Sequence, residues 1–146
     1  MTALFVDTAG WMACADAADP AHGACLAARD AALERGLRLI TTDFVADETL
    51  TLIRLRLGLP AANAWWKQVN ASPRLRWERI DAARFEAGRE LFFRYKDKQF
   101  SFTDCTSFAV MRELGLSSAL TTDRHFAQMR FAVVPATRRP RRPGPA

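Results

Sequence analysis

Short apolar segments alternate with longer stretches of helical periodicity along this chain. The apolar segments predict β-strands over residues 3–6, 37–41, 76–80, 118–121 and 131–134. The intervening stretches predict helices over residues 8–18, 20–35, 44–57, 60–71, 82–95 and 101–113, with a short helix after residue 123. Strands that alternate with helices are typical of parallel sheets with crossover helices. The pattern therefore predicts an α/β fold with a central, mostly parallel sheet of four to five short strands.

Residues with strong positional preferences support several of these boundaries. Gly36, Gly58 and Gly115 each follow a predicted helix, at the position where a glycine commonly ends one. Asp43 and Asp81 precede predicted helices and are assigned as N-caps, because a short acidic side chain accepts a hydrogen bond from the first free N–H groups. Helix and strand boundaries are thus marked by the sequence itself.

Composition places the chain among ordinary globular proteins. Of its 146 residues, 49% are hydrophobic and 25% are charged, which excludes wholesale disorder and is enough for one core. No apolar run approaches the length of a membrane span, and the first residues lack the basic region of a signal peptide. The three cysteines form no CxxC pair, which fits reduced thiols. We therefore expect a cytoplasmic protein without membrane contact.

The net charge of +5 is concentrated at the C-terminus. Four arginines lie in the last nine residues, and the rest of the chain carries 17 basic residues against 16 acidic ones. These four are Arg138, Arg139, Arg141 and Arg142. We therefore predict one globular domain over residues 1–137 and a flexible arginine- and proline-rich tail over residues 138–146. The tail is either an arm that binds nucleic acid or an acidic partner, or a solvated end without a role.

Three acidic residues occupy positions where catalytic groups of α/β proteins are found. Asp7 and Asp123 follow predicted strands, although an aspartate there is often only a turn or cap residue. Asp104 lies in the first turn of its helix, where Ser101 and Asp104 also match a capping box. Each position alone has a structural explanation, so these alternatives stay open at this point.

Glu48 is harder to explain as a structural residue. It falls on a helical row with Val45, Leu52 and Leu55, whereas its neighbour Asp47 falls on the opposite, solvated row. A carboxylate within an apolar face has to be neutralised, paired or bound to a metal. Four carboxylates gathered at one sheet edge repel one another unless divalent cations neutralise them. Because all these ligands are oxygens, Mg²⁺ or Mn²⁺ is the expected cofactor, and phosphate chemistry the expected reaction.

Four segments also carry a resemblance to a known family: LFVDT, TTDFVADETLTLIR, SFTDCTSFAVMRELG and ALTTDRHF. In this order and spacing they resemble the motifs of PIN-domain nucleases, most closely the VapC-like toxins of bacterial toxin–antitoxin modules. The resemblance covers the chain as far as about residue 135. It implies a three-layer PIN-like fold and a metal-dependent endoribonuclease that leaves a 5′-phosphate.

The resemblance also implies roles for particular residues. The metal-binding and catalytic carboxylates would be Asp7, Glu48, Asp104 and Asp123. Thr8 and Thr103 would support these acids from behind. His125 stands where some members have a further acid, so the resemblance does not imply a second, tightly held metal ion in this chain. The implied partners are an RNA substrate, such as tRNA or mRNA, a cognate antitoxin and a second copy of the chain in a homodimer.

Several other residues have two interpretations. His125 would contact phosphate or protonate the leaving oxygen, or it is an incidental residue of an exposed first turn. Lys96 and Lys98 form a basic loop that would guide RNA phosphates, or they are simply solvated. Trp65 and Trp66 point in different directions on a helix, so one is expected in the core and the other at an interface. Cys105 lies on an apolar row and is assigned to the core.

Other functions compete with that of a toxin. A stand-alone PIN nuclease without an antitoxin, and a non-catalytic module that binds RNA or protein on the same fold, would share the motifs. A hydrolase of the haloacid dehalogenase type would need an acid at position 9, where this chain has alanine. A nucleotide-binding module would need a glycine-rich phosphate loop, and neither common pattern occurs. The metal-dependent ribonuclease is therefore the predicted function.

Overall fold

The computed structural model describes residues 3–136. Within this range the strands are β1 (Ala3–Val6), β2 (Arg38–Thr42), β3 (Leu75–Glu78), β4 (Ser118–Leu120) and β5 (Ala132–Val134). The helices are α1 (Thr8–Ala15), α2 (His22–Glu34), α3 (Asp43–Leu57), α4 (Leu59–Ala71), α5 (Ala82–Arg94), α6 (Phe102–Leu114) and α7 (His125–Gln128). The order of elements follows the predicted alternation.

The five strands form one parallel sheet in the order β3-β2-β1-β4-β5. Helices flank this sheet, so the predicted α/β class and parallel sheet are confirmed. From β1 the chain first adds strands on one side, through β2 and β3, and then crosses to the other side for β4 and β5. The carboxyl ends of β1 and β4 therefore lie side by side where the strand order reverses, which is the usual ligand site of such sheets.

The segment between α1 and α2 departs from the prediction. We predict one helix over 8–18 and another from residue 20, whereas α1 ends at Ala15 and α2 begins at His22. In the turn between them, Asp16 Oδ1 accepts a hydrogen bond from the Ala18 N–H, and Asp19 Oδ1 accepts one from the Ala21 N–H. Aspartate side chains thus compete with the helix for backbone donors, which helical periodicity alone does not reveal.

The start of α3 corrects a second prediction. Thr42, not Asp43, is the N-cap, and its Oγ1 accepts a hydrogen bond of 3.1 Å from the Val45 N–H. Asp43 Oδ1 instead accepts a hydrogen bond of 2.9 Å from the Ile80 N–H. This contact binds the chain that leaves β3, which ends at Glu78 rather than at residue 80. The predicted caps at Asp81 and Ser101 are confirmed.

The core lies on both faces of the sheet and contains several of the aromatic residues. Phe5, Phe108 and Phe126 are fully buried, and the Phe126 ring packs against the rings of the other two. The predicted core positions of one tryptophan and of Cys105 are confirmed, because Trp65 and Cys105 are buried. Trp66 is 41% exposed, and its place at an interface stays a prediction. The last strand begins one residue late, at Ala132 rather than residue 131, because Arg130 just before it takes a positive φ of 66°.

The C-terminal tail and membrane-spanning helices are the two remaining subjects of prediction. The predicted tail at 138–146 lies outside the described residues, so the boundary between a domain at 1–137 and a tail stays a prediction. Among the helices of residues 3–136, none is long and apolar enough to cross a membrane.

Gly10 allows α1 to approach β4 at the edge that carries the acids. A Cβ at this position would overlap the Leu120 carbonyl oxygen and lie 3.2 Å from Leu120 Cγ. The backbone of β4 cannot retreat without disturbing the sheet. We therefore expect Gly10→Ala to lower the free energy of unfolding by about 1–3 kcal/mol, the usual cost of overpacking.

Gly23 in α2 provides the matched control, because a Cβ there meets nothing within 4 Å. Gly23→Ala should be neutral or slightly stabilising, since alanine favours a helix over glycine. Urea unfolding followed by circular dichroism measures both variants. Equal stability of Gly10→Ala and the parent protein would contradict the close packing of α1 on β4.

Candidate metal centre

Asp7 lies directly after β1 and is almost entirely buried, at 3% exposure. Its backbone N–H donates to the Leu120 carbonyl at 3.2 Å, and its Oδ2 accepts a hydrogen bond of 3.2 Å from Thr121 Oγ1. Burial, and then the charge of Asp104, raise the pKa of Asp7 from 3.8 to about 7. This carboxylate therefore carries its charge at neutral pH only at a cost, unless a cation neutralises it.

Asp123 is held on the loop after β4 by backbone hydrogen bonds. Its own N–H donates to Thr121 Oγ1 at 2.9 Å, and its Oδ1 accepts a hydrogen bond of 2.9 Å from the His125 N–H. Thr121 thus links Asp7 to Asp123, because the same hydroxyl that donates to the first accepts from the second. The two acids at neighbouring strand ends are connected through one buried side chain.

Asp104 reaches the same place from the start of α6. It closes the predicted capping box with Ser101: Ser101 Oγ accepts from the Asp104 N–H, and Asp104 Oδ2 accepts from the Ser101 N–H, both at 3.0 Å. Burial raises the pKa of Asp104, whereas the Ser101 N–H lowers it. The cap is therefore real, but it leaves a buried carboxylate beside Asp7 and Asp123 rather than at the protein surface.

Glu48 approaches from the second turn of α3 and is partly buried. Burial raises the pKa of its carboxyl group, the nearby Thr8 hydroxyl lowers it, and the charges of Asp104 and Asp123 raise it. These effects show that Glu48 lies beside the acids of β1, β4 and α6. Asp47, by contrast, is exposed as predicted.

The four acids line one cavity of about 210 Å³ at the carboxyl edge of the sheet. The structure thus brings together all four residues that the sequence singled out. The other lining residues are Thr8, Ala9, Met12, Asp19, Leu52, Arg56 and Thr122. A larger cavity of about 440 Å³ lies between Trp11, Trp65 and Leu75, but it holds only one acid, Asp30, which pairs with Arg29. The chemistry therefore belongs to the smaller cavity.

His125 is more closely involved with the acids than its position in an exposed first turn suggests. Its Nδ1 lies 3.0 Å from Asp104 Oδ2 and 3.3 Å from Asp123 Oδ2. Ligand atoms of Asp104, Asp123 and His125 all lie within 4.8 Å of one another, close enough to share one metal ion. His125 therefore lies among the acids, and its role in the reaction stays a prediction. The helical spacing could not reveal this contact, because it joins two elements.

The cavity suits a hard cation held by oxygen ligands. Its donors are carboxylates, and the buried Thr8 hydroxyl lies beside them, close enough to Glu48 to lower the pKa of that carboxyl group. A hydroxyl beside carboxylates is suited to a water molecule in the coordination shell of such an ion. Thr103 is only partly buried, and it is not among the described residues that line the cavity.

The remaining predicted residues lie outside the cavity. Lys96 and Lys98 are exposed on the loop before α6, and Lys98 forms an ion pair of 3.7 Å with Asp97. Their role in RNA binding stays a prediction. His22 also lies outside the cavity: it is partly buried, and its Nδ1 lies 2.7 Å from the Ala13 carbonyl oxygen.

Two lining residues, Asp19 and Arg56, were missed by the sequence reasoning. The signal for Arg56 was present, because it follows Glu48 and Leu52 at intervals of four residues on α3. Asp19 gave no such signal, since only the turn between α1 and α2 brings it to the acids. Spacing finds residues on one helix, whereas a turn between two helices has to be seen in three dimensions.

Comparison with known proteins agrees with this geometry. The PIN domain family matches residues 4–132. The chain is 34% identical to the 23S rRNA-specific endonuclease VapC20 of Mycobacterium tuberculosis, over 90% of this chain and 97% of that protein. It is 26% identical to Ribonuclease VapC26 of the same species, over 90% of this chain and all of that protein.

A solved structure agrees as well. The crystal structure of M. tuberculosis VapC20, described as a sarcin-ricin loop cleaving toxin, superposes with a TM-score of 0.79 at 32% identity. The match covers 89% of this chain and 97% of that one. The chain therefore belongs to the PIN-domain family of nucleases and is similar over nearly its full length to the VapC ribonucleases.

Proposed function

We propose that this protein is a metal-dependent endoribonuclease whose Mg²⁺ or Mn²⁺ is held by Asp7, Glu48, Asp104 and Asp123. The single observation that carries the proposal is the convergence of these four acids, from two strand ends and two helices, in one small cavity. Carboxylates collected in this way repel one another, and the pKa of Asp7 is raised to about 7 as a result of burial and of that repulsion. A divalent cation removes this cost.

The bound cation would supply charge neutralisation at the phosphate and activation of a water nucleophile. The protein's own groups prepare the site. Thr121 fixes the Asp7 carboxylate, and the Ser101 N–H fixes that of Asp104. His125 contacts both Asp104 and Asp123, so it sets the distance between them. Buried and oriented ligands keep the site in one geometry before RNA arrives.

The substrate we propose is a structured RNA. The relative with 34% identity is named for 23S rRNA, and its structure is described as that of a sarcin-ricin loop cleaving toxin. A hairpin with this loop is therefore the first RNA to test, followed by tRNA and mRNA. We place the reaction in the cytoplasm, because its substrates are there.

We further propose that the protein is the toxin of a toxin–antitoxin pair and forms a homodimer. The VapC relatives match this chain over nearly their full lengths, which supports a shared biological role. An antitoxin that presents a basic side chain to the acid cavity would replace the charge of the cation and block catalysis. A stand-alone PIN nuclease is the alternative if no antitoxin exists.

A non-catalytic binding module is a weaker alternative. Such a module has no use for four acids in one cavity, because they destabilise the fold and repel the phosphates of RNA. With a cation bound, the repulsion is removed and the same cavity is suited to hold a phosphate of the RNA. Metal dependence of RNA cleavage separates the two functions.

Asp7→Asn tests the proposed mechanism. We expect cleavage with Mg²⁺ or Mn²⁺ to fall by more than about a hundredfold, because losing a direct ligand costs more than the 10–100-fold typical of groups behind the ligands. Cleavage of the hairpin RNA by purified protein is the measurement. Asp47→Asn is the control, since Asp47 carries the same charge on the exposed face of α3. Cleavage by Asp7→Asn at the parent rate would refute the assignment.

The same variant should be more stable than the parent without metal. The raised pKa of Asp7 means that the folded protein keeps a proton which the unfolded chain releases, so stability falls as pH rises from about 4 to about 7. Asparagine carries no charge, so in EDTA Asp7→Asn should gain stability over the parent at pH 8 and lose most of this advantage at pH 4. Urea unfolding at both pH values, with Asp47→Asn alongside, measures the difference. Glu48 and Asp104, whose pKa values are also raised, leave a smaller pH dependence in the variant.

Co-expression tests the toxin assignment. If the reading frame immediately upstream encodes an antitoxin, its product should form a stable complex with this protein and abolish cleavage. Size-exclusion chromatography and the hairpin assay measure both effects. Asp7→Asn should still form the complex, because Asp7 is buried and offers little surface to a partner. Absence of both complex and inhibition would remove the toxin assignment and leave the nuclease intact.

Removal of residues 138–146 tests the proposed RNA-binding arm. Each phosphate contact on a single strand contributes about −0.7 to the slope of log affinity against log salt, so four arginines contribute about 3 units in all. We expect the shortened chain, in the Asp7→Asn background, to have a slope shallower by about that amount. A chain with the four arginines changed to lysine should keep the slope. Equal slopes with and without the tail would show that the arm does not bind RNA.

A further inference from the structure

Arg56 extends the acid cavity along α3. Glu48, Leu52 and Arg56 lie one helical turn apart on the same face of this helix, and all three line the cavity. Eight residues of α-helix rise about 12 Å, so the guanidinium group is anchored two turns away from the Glu48 carboxylate. The cavity lining therefore combines the acids with one arginine that is anchored two helical turns from Glu48.

Nothing in the described part of the chain neutralises this arginine. Arg56 is exposed and forms no ion pair with a carboxylate of residues 3–136. Asp19, the acid outside the central cluster that also lines the cavity, accepts a hydrogen bond of 2.8 Å from the Ala21 N–H. Among the described lining residues, Arg56 is the one with a positive charge. Its donors are free to meet an anion.

The helix dipole explains why a basic residue stands at position 56, but it does not explain why the Arg56 side chain lines the cavity. Arg54 and Arg56 both lie in the last turn of α3, where basic side chains interact favourably with the helix dipole. Arg54 is exposed as well, but it does not line the cavity. The dipole acts on both residues alike, so it does not explain why one of them borders the acids.

We infer that Arg56 binds a backbone phosphate of the RNA next to the phosphate that is cleaved. This inference rests on the proposed function, which places the cleaved phosphate at the four acids. A side chain anchored two turns away along α3 meets a different phosphate of the same strand. The guanidinium group matches a phosphate with two parallel hydrogen bonds, which a lysine cannot reproduce. Because the acids and Arg56 would bind two different phosphates, the cavity would fix the direction in which the RNA strand crosses it.

Arg56→Gln is compared with Arg54→Gln, because both variants remove one positive charge from the same turn of α3. On the hairpin RNA with the sarcin-ricin loop, Arg56→Gln should raise KM by roughly tenfold and leave kcat nearly unchanged, as expected for one charged hydrogen-bonding contact. The KM of Arg56→Lys should fall between those of the parent and of Arg56→Gln. The KM of Arg54→Gln should equal that of the parent. Melting temperature and Mn²⁺ affinity should be the same in all four proteins.

A modified substrate identifies the phosphate. Neutral methylphosphonates are placed one at a time on either side of the cleaved bond. One flanking position should weaken binding to the parent protein, and the same change should have no further effect on Arg56→Gln. In the Asp7→Asn background, Arg56→Gln should also make the slope of log affinity against log salt shallower by about 0.7, which does not depend on cleavage.

The outcomes separate this inference from the proposed function. Failure of the parent to cleave any RNA in the presence of metal would overturn the function. Cleavage by the parent, with equal KM values for Arg56→Gln and Arg54→Gln, would overturn the phosphate contact alone. A lower melting temperature or changed Mn²⁺ affinity for Arg56→Gln would instead make Arg56 a structural counterion of the acids, and would also overturn it.

Discussion

Repulsion among four carboxylates is the constraint on which the rest of this structure depends. Asp7 and Asp104 are buried, Glu48 and Asp123 lie beside them, and the pKa of Asp7 is raised to about 7. A fold that only had to be stable would place apolar residues here. The protein instead keeps the acids together and surrounds them with elements that cannot easily move apart.

The elements that hold the acids are rigid and mutually connected. Asp7 follows the central strand, whose hydrogen bonds to β4 continue through the Asp7 N–H and the Leu120 carbonyl. Thr121 joins Asp7 to the Asp123 loop, and Ser101 joins Asp104 to the start of α6. Asp7, Asp104 and Asp123 are therefore each held by a neighbour that would also serve an ordinary structural purpose. Strand ends, caps and turns here both shape the fold and position the acids.

Few basic side chains lie near the acids among the described residues. His125 lies against Asp104 and Asp123, and Arg56 lies two turns of α3 away from Glu48. Neither forms a pair that would neutralise the whole cluster, so the site keeps an excess of negative charge in the absence of metal. A divalent cation would balance this excess and so allow an RNA phosphate to approach the acids. Neutralising the acids permanently with lysine or arginine would have stabilised the fold and closed the site.

The sequence by itself determined the order of strands and helices, the parallel sheet and the four acids. It could do so because apolar periodicity, glycine stops and the position of acids after strands are local signals. Glu48 could be identified from the sequence because a carboxylate on an apolar helical row needs a partner, whichever element that row packs against. The errors of one to three residues at the ends of α1, α2 and β3 arise where side chains such as Asp16 and Asp43 take backbone donors.

Only the tertiary structure decided which neighbours act on these acids. His125 reaches Asp104 across 21 positions of sequence, and Thr121 reaches Asp7 across 114. Asp19 enters the cavity through a turn that periodicity had assigned to helices. Local sequence fixes which residue follows a strand, because backbone propensity acts over a few residues. Contacts between elements depend on how the sheet and its helices pack, and no short stretch of sequence carries that information.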